Sequence, residues 1–241
     1  MVMWVGWAGS VDSRNQKIPR ASATVYQKAG VKFAILGSEE KCTGGLARRS
    51  GNEMLFQMLA GEDVETMNNY KIKKIVTACP HCLNSIKNEY PQLGGEYEVF
   101  HHSQFIAKLV DEGRLPVKSN LKDTITYHDP CYLGRYNKEY EAPRNLLKHA
   151  ADEQMREMKR HGSESFCCGG GGARMWMEET IGTRINENRT EEAISTGAST
   201  VATGCPFCMT MLSDGITAKG KSESMQVKDV AELVLEAVEA V

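Results

Sequence analysis

Eight cysteines stand at positions 42, 79, 82, 131, 167, 168, 205 and 208, and two of them are adjacent in the stretch FCCGGGGAR, residues 166–174. Neighbouring side chains of a regular strand point to opposite faces, so Cys167 and Cys168 can serve one small object only if the backbone bends between them. Glycine tolerates positive φ and close backbone approach, which makes residues 169–172 the means of such a bend. A pair of this kind taken alone reads as a loop beside two buried thiols; the other six cysteines change that reading. Eight cysteines in a reducing compartment point to metal ligands or redox thiols rather than disulfides.

The spacing is repeated. Thirty-six residues separate Cys42 from Cys79, thirty-six separate Cys168 from Cys205, and each interval ends in a Cys-Pro-aromatic-Cys step, ACPHC and GCPFC, at an offset of 126 residues. The surroundings follow: KKIVTACPHCLNSIKNEY lies over ASTVATGCPFCMTMLSDG, and YEVFHHSQFIAKLV over SMQVKDVAELVLEAV. The copies differ in one respect. An offset of 124 carries Cys131 onto Trp7, and Lys41 takes the place of Cys167, so the second copy holds five cysteines and the first three.

The elements that must position these residues are readable from periodicity. Each cysteine loop follows a short β-branched run and opens a helical pattern, and each copy closes with a strand and an amphipathic helix. Further strands are expected at VKFAIL before Cys42 and TITYHDP before Cys131. The fold class is therefore α/β: two pseudo-repeated domains, 1–115 and 120–241, each a small, mainly parallel sheet flanked by helices. The cysteine loops sit at strand ends, where open α/β sheets bind ligands. The boundary is expected in DEGRLPVKSNLKD, residues 111–123, which is polar and carries Gly and Pro.

Thiolates are the ligands of iron–sulfur clusters and of zinc. Four would complete a structural zinc or an ordinary cluster; a fifth exceeds both. The Cys-Pro-x-Cys loop opens a helix whose free N–H groups and positive dipole end suit an anionic centre. Gly169, Gly170 and their neighbours would add N–H donors, Arg174 a nearby cation, and His128 a group poised at the second site or orienting the Cys131 loop. His101 and His102, after a strand and before a helix, read as a cap and a packed imidazole as readily as ligands. Met and Trp in QMREMKRHG and RMWMEE read as core or partner-contact surface. The run CCGGGGAR lacks the Gly-Lys-Ser/Thr ending of a phosphate loop.

The pattern Cys131, Cys167-Cys168-Gly169, Cys205-x-x-Cys208 resembles the CCG cysteine-rich domain of heterodisulfide reductase catalytic subunits and their relatives. YHDPCYLGRYN followed by CCGGGGARMW is similar in particular to membrane-associated oxidoreductases that take electrons from electron-transfer flavoprotein. The resemblance covers essentially the whole chain. It implies an enzyme, an iron–sulfur oxidoreductase, with a noncubane 4Fe–4S cluster on Cys131, Cys167, Cys168, Cys205 and Cys208. It implies electron relay between a flavoprotein and a quinone-linked or other acceptor, with thiol–disulfide reduction and a non-catalytic metal-binding or sensing module as alternatives. Where relatives usually carry Gly-Cys-Ala-Gly, this chain has Gly6-Trp7-Ala8-Gly9. Cys42, Cys79 and Cys82 thus form an incomplete second site, expected to hold zinc, with His81, His101 or His102 as fourth ligand, or an incomplete and labile cluster, or nothing.

The bulk composition narrows the partners. A formal charge of −2 from 29 basic and 31 acidic residues carries no footprint for nucleic acid. No stretch approaches about 18 uninterrupted apolar residues, so no transmembrane segment is expected, and the protein is placed in the cytoplasm, peripheral to the inner membrane through a partner. A Cys-x-x-Cys-x-x-Cys-x-x-x-Cys signature is missing from the chain. The chain is thus expected to be a subunit paired with a ferredoxin-type partner, or the C-terminal piece of a longer polypeptide.

Overall fold

Two parallel sheets account for the repeat in the computed structural model, which describes residues 1–118, 121–151 and 154–239. The first sheet orders β1 (Val2–Trp4), β2 (Lys74–Thr77) and β3 (Glu98–His101) side by side. The second has the order β5-β4-β6-β7, from β4 (Ile125–His128), β5 (Met155–Arg156), β6 (Thr200–Thr203) and β7 (Gln226–Asp229). All pairings are parallel, as the helix-separated, β-branched runs require.

The stretch 31–36, expected as a strand, contributes a single parallel bridge from Ala34 to Val2. Its partner β1 is only three residues long, and the two bonds from Met3 N to Ala34 O (2.9 Å) and Ala34 N to Met1 O (3.1 Å) take up what that edge offers. This segment occupies the place of β5, so both sheets have one topology. The chain runs outward to one side of the first strand, returns, and continues on the other side. The switch point lies between β1 and β2 in one sheet and between β4 and β6 in the other, and crevices at the carboxyl ends of such strands bind ligands in open α/β sheets.

Register makes the copies superimpose residue by residue. Trp4 pairs with Thr77 and Thr77 with His101; His128 pairs with Thr203 and Thr203 with Asp229. Trp4 therefore corresponds to His128, Trp7 to Cys131, and His101 to Asp229.

Alternation along the strands buries both faces. Trp4, Ile75 and Val201 enter one apolar core, and Met3, Val76 and Ala202 enter the other. Each core draws on both copies: Phe56 and Tyr90 meet Leu133, Phe207 and Leu212 in the first, and Val25, Phe105 and Ile106 meet Tyr127, Leu146 and Val234 in the second. Helices pack across the copies reciprocally, α2 (Lys17–Lys28) on α10 (Val230–Glu239) and α6 (His102–Asp111) on α7 (Glu141–Ala151). Leu115, in the connecting stretch, is buried in the second core.

A polar chain crosses this junction. His102 Nε2 donates to Asp229 Oδ1 at 2.7 Å, and His101 Nε2 lies 3.2 Å from His102 Nδ1, 3.0 Å from Gly204 O and 3.3 Å from Ala78 O. Ala78 and Gly204 immediately precede Cys79 and Cys205, so one imidazole ties both cysteine loops together. Each corresponding position also caps a helix: His101 with Gln104 for α6, and Asp229, which accepts from Ala231 N (2.8 Å) and donates through its own N–H to Glu232 (2.9 Å), for α10.

Candidate metal centre

The five cysteines of the second copy meet at the β4/β6 switch point. Cys131 follows β4 through Asp129-Pro130, Cys205 is the extended N-cap of α9 (Pro206–Ala218), and Cys208 lies in its first turn. Pro206 suits that first turn because it has no N–H to leave unpaired. Cys167 and Cys168 arrive on the glycine bend. Gly169 has φ +89° and Gly172 φ +64°, the left-handed conformations the run was expected to supply. A side chain at Gly170 would come within 3.0 Å of Met211 Cγ and 3.7 Å of the Cys168 sulfur, so that glycine leaves room beside the thiol.

The thiols are neighbours in the order Cys131, Cys167, Cys168, Cys208 and Cys205, with the Cys168 and Cys208 sulfurs within 4.8 Å of each other. Hydrogen bonds from Cys131 and Cys168, with the Gly169 N–H at 3.2 Å, hold the Cys167 thiol far below its ordinary range. The same contacts push Cys131, Cys168 and Cys208 up. Burial works against ionisation of Cys205, yet Cys208 and His81 bring it down to about 6. Thiolates are the form that binds soft metals.

The loop carrying Cys131 is anchored by charge. Asp129 receives both guanidinium nitrogens of Arg144 at 2.7 and 2.9 Å and the Gly162 N–H at 2.8 Å, while Glu157 takes the rest of the same guanidinium at 2.6 and 3.1 Å. His128 is buried with one ring nitrogen grouped with the Cys168 and Cys208 sulfurs, all within 4.8 Å of one another. Arg174, expected as a nearby cation, is half exposed and lies 3.7 Å from Glu179.

The first copy gathers less. Cys79 and Cys82 touch, Cys42 lies near both, and Thr43 Oγ1 approaches Cys82 Sγ at 3.9 Å. Trp7, at the place of Cys131, is 47% exposed and packs edge-on against Trp176, ring centres 6.2 Å apart. The backbone N–H groups of Val5 and Gly6 donate to Glu40 at 3.0 and 2.5 Å. Among the described residues, His128, Cys168 and Cys208 form the one group of three metal-ligating atoms within 4.8 Å of one another, so neither Cys42, Cys79 and Cys82 nor any three of the five second-copy cysteines meet that spacing.

Of the three histidines considered as a fourth ligand, His101 and His102 have their ring nitrogens engaged in the junction. His81 lies between the copies, its Nδ1 4.0 Å from Cys79 Sγ and 3.9 Å from Cys205 Sγ, its ring against Tyr132 and Phe207. Burial alone would lower its pKa, but the Cys205 and Cys79 thiolates push it up to about 10. Sequence reasoning missed the residues that close this cleft: Arg49 donates to the Tyr132 hydroxyl at 2.8 Å and pairs with Glu89. Offset arithmetic aligns like with like and does not show which side chains meet across the copies.

The CCG cysteine-rich domain profile matches residues 4–87 and 125–213, one match per sheet. The chain belongs to this family. CCG relatives include a probable iron-sulfur-binding oxidoreductase, FadF, of Bacillus subtilis, 48% identical over 98% of this chain and 34% of the relative. The EtfAB:quinone oxidoreductase of Syntrophomonas wolfei is 45% identical over 99% of this chain and 34% of its own length. A subunit of the dihydromethanophenazine:CoB–CoM heterodisulfide reductase of Methanosarcina barkeri is 37% identical over 90% of this chain and 54% of its own. The chain thus spans about a third of the first two. A crystal structure of a hypothetical Helicobacter pylori protein shares the fold at a TM-score of 0.58 and 9% identity, covering 98% of this chain and 48% of that one. No described helix of this CCG chain is long and apolar enough to cross a membrane.

Proposed function

We propose that this chain is the cluster-bearing portion of an iron–sulfur oxidoreductase, with residues 120–241 holding a noncubane 4Fe–4S cluster on Cys131, Cys167, Cys168, Cys205 and Cys208. The observation that carries the reading is the gathering of five cysteines at one switch point, with the Cys168 and Cys208 sulfurs within 4.8 Å of each other beside His128, and with Cys131, Cys167 and Cys205 on the adjoining loops. Such a cluster takes up and passes on single electrons. The chain's own part is to supply thiolates, exclude water by burying Cys168, Cys205 and Cys208, and direct the Gly169 N–H at the Cys167 sulfur.

The donor side of the relay is a reduced flavoprotein and the acceptor a quinone-linked partner, in keeping with the name of the Syntrophomonas relative; a ferredoxin-type subunit or domain would supply further wiring. Residues 1–115 hold zinc, a labile cluster or nothing, because Trp7 withdraws the ligand that its place in the repeat calls for. Association with a membrane would come through a partner.

Likeness to a heterodisulfide reductase subunit favours a second reading, in which substrate sulfur is cleaved at the cluster. That reading is weaker here because only one copy has five thiols. Anaerobic reconstitution tests both. The chain is expected to take up close to four irons, to lose or convert that centre in Cys168→Ser, and to be reoxidised by a flavoprotein or quinone-type acceptor. Full iron with an unaltered paramagnetic spectrum in Cys168→Ser would sink the ligand assignment. Stoichiometric thiol release from a disulfide, abolished by Cys167→Ser, would promote the second reading.

A further inference from the structure

His128 is a metal-ligating residue type grouped with Cys168 and Cys208, and spacing alone would make it a ligand. Its other contacts decide otherwise. Arg189 Nε donates to His128 Nδ1 at 3.0 Å. A guanidinium has only protons to offer, so Nδ1 must be the lone-pair nitrogen of a neutral ring and Nε2 must carry the hydrogen. A nitrogen that bears a proton cannot bind a metal.

Hydrogen bonds hold the guanidinium behind the ring, although its Nη2 is buried without a partner. Arg189 has 0% side-chain exposure, and its Nη1 donates to Arg160 O (2.8 Å) and Glu192 Oε2 (2.9 Å). Glu192 is held in turn by the Arg160 N–H and Nε. The cation thus has two anchors besides the imidazole, and neither can take over the role of the Nδ1 acceptor. His128 Nε2 is buried with no hydrogen-bond partner, an arrangement that costs stability unless something at the site accepts from it.

The other copy repeats the feature with different chemistry. Trp4 occupies the strand position of His128, is 1% exposed, and its Nε1 is likewise buried without a partner. An indole N–H can only donate. Two unlike residues at one register position therefore share what a donor needs, and only one of them has any capacity to ligate.

We propose that His128 is a fixed N–H donor to the metal–thiolate centre of Cys131, Cys167, Cys168, Cys205 and Cys208, and not one of its ligands, with Arg189 as the positioning residue that sets the tautomer. The inference rests on the cluster reading above. A donor aimed at cluster or thiolate sulfur stabilises the reduced, more negative state, so its effect is on the reduction potential.

The test compares the anaerobically reconstituted wild-type chain with His128→Gln, which keeps an N–H near the place of Nε2, and His128→Leu, which does not. Iron per chain should be the same in all three. At the wild-type midpoint, the ratio of reduced to oxidised centre should fall about tenfold in His128→Leu, 59 mV for a one-electron couple, and stay within about twofold in His128→Gln. Nitrogen-15 NMR of the iron-free wild-type chain should show His128 as the Nε2–H tautomer. Loss of iron in His128→Leu, an unchanged potential in that variant, or an Nδ1–H tautomer each overturns the inference. A wild-type chain that takes up no iron sinks the cluster reading itself, and this one with it.

Discussion

Replacing Asp229 by Ala should weaken the junction between the copies by an amount that can be worked out from its contacts. The carboxyl accepts from His102 Nε2 at 2.7 Å and from Ala231 N at 2.8 Å, and both side chains of the pair are at most 1% exposed. Loss of the N-cap of α10 costs about 1 kcal/mol, and a buried imidazole N–H left without an acceptor costs about 1–3 kcal/mol more. The expected total is about 2–4 kcal/mol, read as a lower urea midpoint at unchanged slope with circular dichroism and fluorescence coincident. Asp229→Asn, which keeps an acceptor oxygen for both donors, should lose well under half of that. In the double variant with His102→Leu the penalties should fall short of additivity by about 1–2 kcal/mol, because the second change removes the donor that the first one orphaned. Because the pair is buried, the loss should be insensitive to salt. Additive penalties within about 0.5 kcal/mol, or an Asn variant as weak as the Ala variant, would show that the two residues do not act as a pair.

Asp63, 1% exposed, is pushed up from 3.8 to about 7 by burial, which outweighs hydrogen bonds from Tyr90 Oη (2.8 Å) and Lys41 N (3.1 Å). The native state therefore keeps this proton longer than the unfolded chain, so the associated stability is complete below pH 3.8 and lost as pH rises through about 7. The effect is on the order of 4 kcal/mol between those limits, and Asp63→Asn should flatten the dependence of the urea midpoint between pH 5 and pH 8; an equally steep variant refutes the assignment to this group. Trp7→Cys, in a background where Cys168→Ser has disabled the second site, should raise the metal retained by Cys42, Cys79 and Cys82 in a zinc and iron analysis, with little change in stability because Trp7 is 47% exposed. Equal metal with and without the substitution would show that the first site does not lack that ligand.

The repeat, the parallel α/β architecture and the convergence of cysteine loops at strand ends were legible in the sequence because each depends on local pattern. β-branched runs, helical periodicity, Pro after a capping Cys and glycine before a bend act within a few residues. The same arithmetic aligned Trp7 with Cys131, and the strand register agrees with that offset. The strand expected at 31–36 shrank to one bridge because pairing depends on the length of the neighbour as well as on a segment's own residues.

Tertiary structure alone decided how the copies meet and which polar groups lie inside. Arg189, in the polar helical stretch INENRTEE, would pass in sequence for a solvated side chain, yet it is fully buried behind His128. His101 and His102 read in the sequence as metal ligands as readily as a cap and a packed imidazole, and contacts with partners more than a hundred residues away, Gly204 and Asp229, help engage their ring nitrogens elsewhere. A side chain's chemistry follows from its type, but the tautomer of an imidazole and the availability of its nitrogens follow from neighbours that only the folded chain brings within hydrogen-bond distance.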